Sequence, residues 1–267
     1  MVSSVYSSRA ACVGVLRTVE QRRPAWWTPA CTDFLRRVER LPPTGADDPA
    51  AAAPRSKVLL VVEGLDGVGK SLVTQSLVDR LGASAELLRT PDPALHDLRE
   101  IFRAQDEDTS RAFYSAANYL AAWEALHATG QRRFIVFDRW WCSTCAMALA
   151  NRCVKATLPP VGDAVYQWPR DLPTFDVGAL LQVDESIRLE RIRRRAPEDA
   201  EERRLSAQLE MRETAMEAYR RFGLLTEVHT PTYGVAVNSI LALMTRRGVQ
   251  HNATPFTAAE LAAIRPF

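Results

Sequence analysis

Apolar and polar positions fall into two regimes along the chain, with the change near residue 57. Beyond it, short apolar runs alternate with longer stretches of helical spacing. The runs VLLVVE (58–63), AELLR (85–89), FIVFD (134–138), VGALLQV (177–183) and LTEVH (225–229) are nearly continuous rather than alternating. Such runs mark strands covered on both faces, and strands alternating with helices make a parallel α/β sheet. Helices are expected at about 70–81, 95–104, 109–129, 143–151, 185–194, 200–222 and 235–246. One domain therefore spans 57–248, and residues 249–267 read as a peripheral tail.

Before residue 57 the pattern is weaker. Trp27, Cys31, Phe34, Leu35, Val38 and Leu41 share one helical face. PPTGADDPAAAAPRS then reads as a linker ending near Ser56. Residues 1–23 are rich in Ser and Arg and hold a single acid, Glu20. Two readings of them stand open: an organelle transit peptide, or a disordered or partly helical leader with no address. Residues 1–56 are thus leader, amphipathic helix and linker.

Composition narrows the classes further. A chain of 267 residues can bury one substantial core. A net charge of +2 gives no field suited to a nucleic-acid polymer. No apolar run approaches the ~20 residues that cross a bilayer, so a soluble protein without membrane contact is expected. The five cysteines are scattered and odd in number, which is no disulfide framework. Cys142 and Cys145 form a C-x-x-C, but four isolated histidines offer no second pair for zinc. The plainer account is two small buried residues opening a helix.

The chemistry sits between the first strand and the helix after it. Gly64-Leu65-Asp66-Gly67-Val68-Gly69-Lys70-Ser71 satisfies G-x-x-x-x-G-K-[ST], and Leu72 continues helically. The glycines let backbone N–H groups turn inward on anionic oxygens, and the helix N-terminus adds positive potential. Lys70 is expected on the terminal phosphates and the Ser71 hydroxyl on Mg²⁺. The loop therefore predicts a bound nucleoside triphosphate. No Asn-Lys-x-Asp run follows, which argues against a GTPase, and the third strand ends Phe137-Asp138-Arg139 rather than in Asp-Glu. An Asp there can order Mg²⁺ and its waters while Arg139 clamps a second phosphate. One acid and one base at that tip suggest an acceptor that is itself a phosphate.

With EGLDGVGKS (63–71), RAFYSAANY (111–119), FDRW (137–140), VYQWP (165–169) and ERIRRR (190–195) in this order, the chain resembles the thymidylate kinase-like nucleoside monophosphate kinases, most of all their mitochondrial UMP/CMP kinase branch. The resemblance covers roughly 57–247. It implies a P-loop NTPase fold, α/β in three α/β/α layers, with a five-stranded parallel sheet of order 2-3-1-4-5 and a helical lid. It also implies ATP-dependent phosphoryl transfer to a nucleoside monophosphate, with Mg²⁺ as cofactor, and is compatible with a homodimer. In that reading residues 64–72 and Arg191 hold ATP, and Ser71 and Asp138 hold the metal. Lys70, Asp138, Arg139, Arg194 and Arg195 are catalytic, the last two closing from the lid. Asp66, Arg89, Arg99, Phe113, Asn118, Arg139 and Gln167 receive the acceptor, with Phe113 stacked on its base.

The family's thymine-reading Arg is replaced by Ala117, with Asn118 next to it, and an expected Pro-acid-Arg turn ends at Pro93. An Asn offers a donor and an acceptor but not a bidentate guanidinium. These departures favour CMP, UMP, dCMP or dUMP, with dTMP as the alternative. A nucleotide-binding regulator without turnover is the reading from another class, opposed by the intact Lys70, Ser71, Asp138 and Arg139. Leader composition and the resemblance together point to the mitochondrion, with the cytoplasm as the alternative.

Overall fold

The computed structural model describes residues 4–42, 44, 55–128, 130–195 and 200–264. Five parallel strands, β1 (Val58–Glu63), β2 (Ala85–Arg89), β3 (Phe134–Asp138), β4 (Val177–Gln182) and β5 (Thr226–His229), form one sheet in the order β2-β3-β1-β4-β5. The expected strands and their order are all present, because each run is apolar enough to be covered on both faces. β1 and β3 lie side by side, Val62 opposite Asp138. Their outgoing chains leave toward opposite edges of the sheet. That opens a crevice beyond their carboxyl ends, where such sheets bind ligands.

The helices are α1 (Arg9–Arg22), α2 (Pro29–Glu39), α3 (Lys70–Leu81), α4 (His96–Arg103), α5 (Glu107–Trp123), α6 (Trp141–Arg152), α7 (Glu185–Arg195), α8 (Ala200–Ala207), α9 (Leu209–Arg221), α10 (Tyr233–Arg246) and α11 (Ala258–Ala263). α3 and α10 pack on the sheet and on each other, while α5, α6 and α9 build the opposite layer. Asp106 caps α5 two residues earlier than expected, and a π turn at Glu124–Ala128 ends it. The single helix expected at 200–222 is two, broken where Gln208 leaves the helical region. Arg212 closes the break by donating to the Leu205 carbonyl at 2.7 Å. No described helix is long and apolar enough to cross a membrane.

Both ends of the chain pack on the domain between them. From Ser4 onward the leader is part of the core. Ser8 caps α1 by accepting from Ala11 N, and Cys12 and Leu16 are fully buried as the helix packs on α5. The Tyr6 hydroxyl donates to the Asp108 carbonyl at 2.8 Å, and Arg9 N donates to Asp171 Oδ2 at 2.7 Å. The segment is therefore helical over Arg9–Arg22 and packed in place, its few apolar side chains having found a partner in α5. Residues 1–3 of the leader and 43 and 45–54 of the expected linker lie outside the described residues. The tail is likewise folded on. Gly234 on α10 is roofed by Leu261 and Ile264 so closely that a Cβ there would lie 2.5 Å from Ile264 Cδ1. Arg80 on α3 stacks over Phe256 at 3.7 Å and pairs with Glu260 at 2.6 Å.

Candidate active site

β1 ends at Glu63 and delivers residues 64–69 into the crevice as the loop before α3. Gly67 has φ +83, and a Cβ there would fall 2.9 Å from the Arg188 carbonyl. Only glycine lets α7 pack this close. Gly69 caps α3 in the left-handed region with no side-chain hydrogen bond, so the first amides of α3 face the crevice as an anion site. Leu65 and Val68 turn their side chains into the core and contribute carbonyls, Leu65 to Lys70 Nζ at 2.7 Å and Val68 to Arg191 Nη1 at 3.1 Å. Lys70 is buried, 3.6 Å from Asp66 Oδ1. Burial, with nearby Arg139 adding to it, pulls the Lys70 ammonium down to about 8.

At the neighbouring tip of β3, Asp138 is buried and its Oδ2 accepts from Ser71 Oγ at 2.8 Å. Arg89 Nε stands 3.9 Å away. A hydroxyl and a carboxylate side by side at the helix N-terminus are hard oxygen donors of the kind Mg²⁺ takes alongside phosphate and water, so these residues fit the ion. Arg139 adopts φ +69, which an L-residue rarely does. Its peptide is pinned, with N donating to Val62 O at 3.1 Å and O accepting from Thr90 Oγ1 at 2.7 Å. The side chain turns back over the loop, donating to Gly64 O at 3.1 Å and Ser143 Oγ at 3.2 Å and pairing with Asp66. Burial works against its charge. Asp66 above all, then Tyr219, Asp138 and Glu63, outweigh it and hold the guanidinium protonated.

These groups share a cavity of about 860 Å³. Of the residues singled out in the sequence, Asp66, Gly67, Gly69, Lys70, Ser71, Leu72, Arg89, Arg99, Asp138, Arg139, Arg191 and Arg194 line it. Its described lining carries Lys70 and six arginines against three carboxylates, Asp66, Asp92 and Asp138. That balance suits more than one phosphate group. Asp66 lies between Lys70 and Arg139. Arg194 extends from α7 and pairs with Glu190 at 2.5 Å; the Arg195 side chain lies outside the described residues.

Three expected acceptor contacts are not at the cavity. Phe113 is fully buried, stacked on Phe102 at 4.8 Å and against Phe34 at 5.0 Å, so it has no face for a base. Gln167 is exposed on the loop before Trp168, away from the cavity lining. Asn118 is buried behind the wall, where its Nδ2 donates to Thr144 Oγ1 at 3.1 Å and its Oδ1 has no partner among the described residues. What α5 does present is Arg111, nearly buried and paired with Glu107 at 2.7 Å, and Tyr114, whose hydroxyl accepts from Arg99 Nε at 3.4 Å. The signal for them was helical spacing, since 111, 114 and 118 repeat at three and four residues. Arg188 was also missed; fully buried, it donates to the Asp66 carbonyl at 2.9 Å and secures the loop from α7.

Cys142 and Cys145 are free and buried in α6, and burial raises both thiols well above their ordinary range. They are packing residues. Among the described residues no group of three or more His, Cys, Asp or Glu could hold a metal.

The thymidylate kinase family model matches residues 62–240. The human mitochondrial UMP-CMP kinase 2 is 34% identical over 167 residues, which are 61% of this chain and 36% of that protein. The chain thus spans about a third of that relative's length. Among solved structures, the thymidylate kinase of Candida albicans superposes with a TM-score of 0.53 at 18% identity, covering 75% of this chain and 98% of that one.

Proposed function

The chain belongs to the thymidylate kinase family, and from that premise we propose that it transfers the γ-phosphoryl group of ATP to the phosphate of a pyrimidine nucleoside monophosphate, CMP, UMP, dCMP or dUMP. The observation that carries this reading is one cavity lined by the loop of Lys70 and Ser71, by the Asp138–Arg139 corner with Arg89 beside it, and also by Arg99, Arg111 and Tyr114. A plain ATPase needs no second cationic wall and no ring beside it.

In this mechanism a non-bridging oxygen of the acceptor phosphate attacks the γ-phosphorus. The bond to the β–γ bridging oxygen breaks, and that oxygen leaves with ADP. The α3 amides and Lys70 hold the donor phosphates. Mg²⁺, held by Ser71 and by Asp138 directly or through water, would neutralise the charge that spreads over the transferred group. Arg139 holds the acceptor phosphate beside the loop, helped by Arg89 or Arg99, and Arg194 and Arg195 close from α7. The acceptor base stacks on Tyr114 rather than Phe113, with Arg111 beside it and Asn118 acting behind Thr144. The mitochondrial relative supports the same compartment for this chain; α1 adds nothing to that, being built into the core.

The test is ADP formation with ATP and Mg²⁺ and each of CMP, UMP, dCMP, dUMP and dTMP, with Lys70→Ala as control. Turnover with the CMP or UMP series, with the acceptor KM raised about tenfold or more in Tyr114→Ala, is expected from a lost stacking contact. Turnover mainly with dTMP would overturn the substrate assignment. ATP binding with no acceptor-dependent turnover would support a regulator instead.

A further inference from the structure

Glu63 ends β1, is fully buried and has no place in the mechanism above. Its Oε1 accepts from Trp140 N at 3.0 Å, the amide at the N-cap of α6, and at 3.2 Å from Ser143 N, which also donates to the Trp140 carbonyl at 3.1 Å. Its Oε2 accepts from the Ser143 hydroxyl. With Glu63 ionised, the single proton of that hydroxyl is donated to it, and the other two contacts of Ser143 Oγ are then acceptances. They come from Tyr219 Oη at 2.8 Å, on α9, and from Arg139 Nη1 at 3.2 Å. Burial raises the Glu63 carboxyl to about 7, and Ser143, Arg139 and the two amides keep it from rising further.

We propose that Glu63, Ser143 and Tyr219 form a buried bracket that holds Arg139 in register with the phosphate loop, which makes Glu63 a positioning residue for the phosphoryl acceptor. The assignment rests on the kinase reading. The physical need for a bracket lies in the corner itself. Residue 139 has φ +69, which costs a non-glycine residue free energy, and such a conformation persists only where its surroundings over-determine it. Glu63 binds the amides on the far side of the corner, and its hydroxyl partner binds the guanidinium. One carboxylate thus fixes both the backbone turn and the direction of the side chain. The Asp66 pair and the Gly64 carbonyl fix only the guanidinium. Tyr219 ties the bracket to α9, the helix next to α8 at the lid end of the cavity.

The experiment is a double-mutant cycle on the full chain with Glu63→Gln and Arg139→Lys, the second keeping the charge but not the planar fork. Acceptor kcat/KM, KM for ATP and the urea midpoint are read for each variant. Glu63→Gln is expected to lower acceptor kcat/KM by about tenfold or more while the KM for ATP stays within about twofold. In the Arg139→Lys background the same change is expected to cost less than about threefold, because two residues acting through one group are not additive. Tyr219→Phe, which removes one hydroxyl and leaves the ring, should repeat the pattern more weakly. Equal losses in both backgrounds, or a loss shared equally by ATP and acceptor, would reduce Glu63 to general support of the fold and overturn the proposal. If the wild-type protein turns over no monophosphate, the kinase reading fails by itself. The urea midpoints then decide the bracket: additive shifts refute it and non-additive shifts uphold it.

Discussion

Arg139 combines a residue needed for its guanidinium with a backbone that glycine would occupy more easily, and two substitutions separate these. Arg139→Ala and Arg139→Gly both remove the side chain that pairs with Asp66 and bonds Gly64 O and Ser143 Oγ. They differ in how residue 139 bears φ +69. An L-residue in the left-handed region costs roughly 1–2 kcal/mol. Glycine avoids that cost but gives back about 0.5–1 kcal/mol through its freer unfolded chain. The glycine variant should therefore be the more stable of the two by about 0.5–1 kcal/mol, which in a chain of this size is a Tm difference of about 1–4 °C. Both should lose acceptor-dependent turnover to the same degree, since the chemistry needs the guanidinium and not the strain. Differential scanning calorimetry of the pair, with ADP release assayed alongside, makes the measurement. An alanine variant as stable as the glycine variant, or more so, would show that the corner is not strained. A glycine variant retaining turnover would remove Arg139 from the mechanism.

Further outcomes follow from burial and charge. Leu16→Ala should cost about 2–5 kcal/mol in urea unfolding, as a fully buried leucine does; a loss within about 0.5 kcal/mol would mean that α1 is only laid on the surface. Phe113→Ala should destabilise by about 3–5 kcal/mol yet leave the acceptor KM within about twofold, the reverse of Tyr114→Ala. The Lys70 ammonium, lowered to about 8, is charged below that pH and neutral above it. ATP affinity should therefore fall as pH rises through 8, and ATP binding near that pH should take up a proton. Calorimetry in buffers of different ionisation enthalpy reads that proton, and uptake unchanged in Lys70→Met would assign it elsewhere.

The parts that could be read from the residues are those whose physics is local. A strand covered on both faces is a short apolar run wherever it sits, so all five were visible, and the loop of Gly64 to Ser71 needs only its own glycines, lysine and hydroxyl. Asp138 and Arg139 were found because a charge pair closing an apolar strand has few other uses. What escaped depended on a partner distant in the chain. α1 carries only Cys12 and Leu16 as fully buried apolar positions in a polar helix, too little to show that it packs on the domain until α5 lies beneath it.

The error over Phe113 is the same error seen from the other side. Adjacent residues on a helix point about 100° apart, so either Phe113 or Tyr114 could face the cavity, but not both. The choice is made by Phe34 on α2, together with Phe102, against which Phe113 stacks, while Trp26 and Trp27 cover Phe102 edge-on at 5.7 and 5.8 Å. Three of these four rings come from residues outside the presumed domain. Once residues 1–56 are set aside, Phe113 has lost much of its apolar partner and becomes the natural ring to stack a base. Once they are restored, it is claimed by the core and the hydroxyl-bearing ring beside it is left at the wall. The N-terminal helices therefore bear on the proposed acceptor site without lining the cavity, by settling which face of α5 is turned toward it.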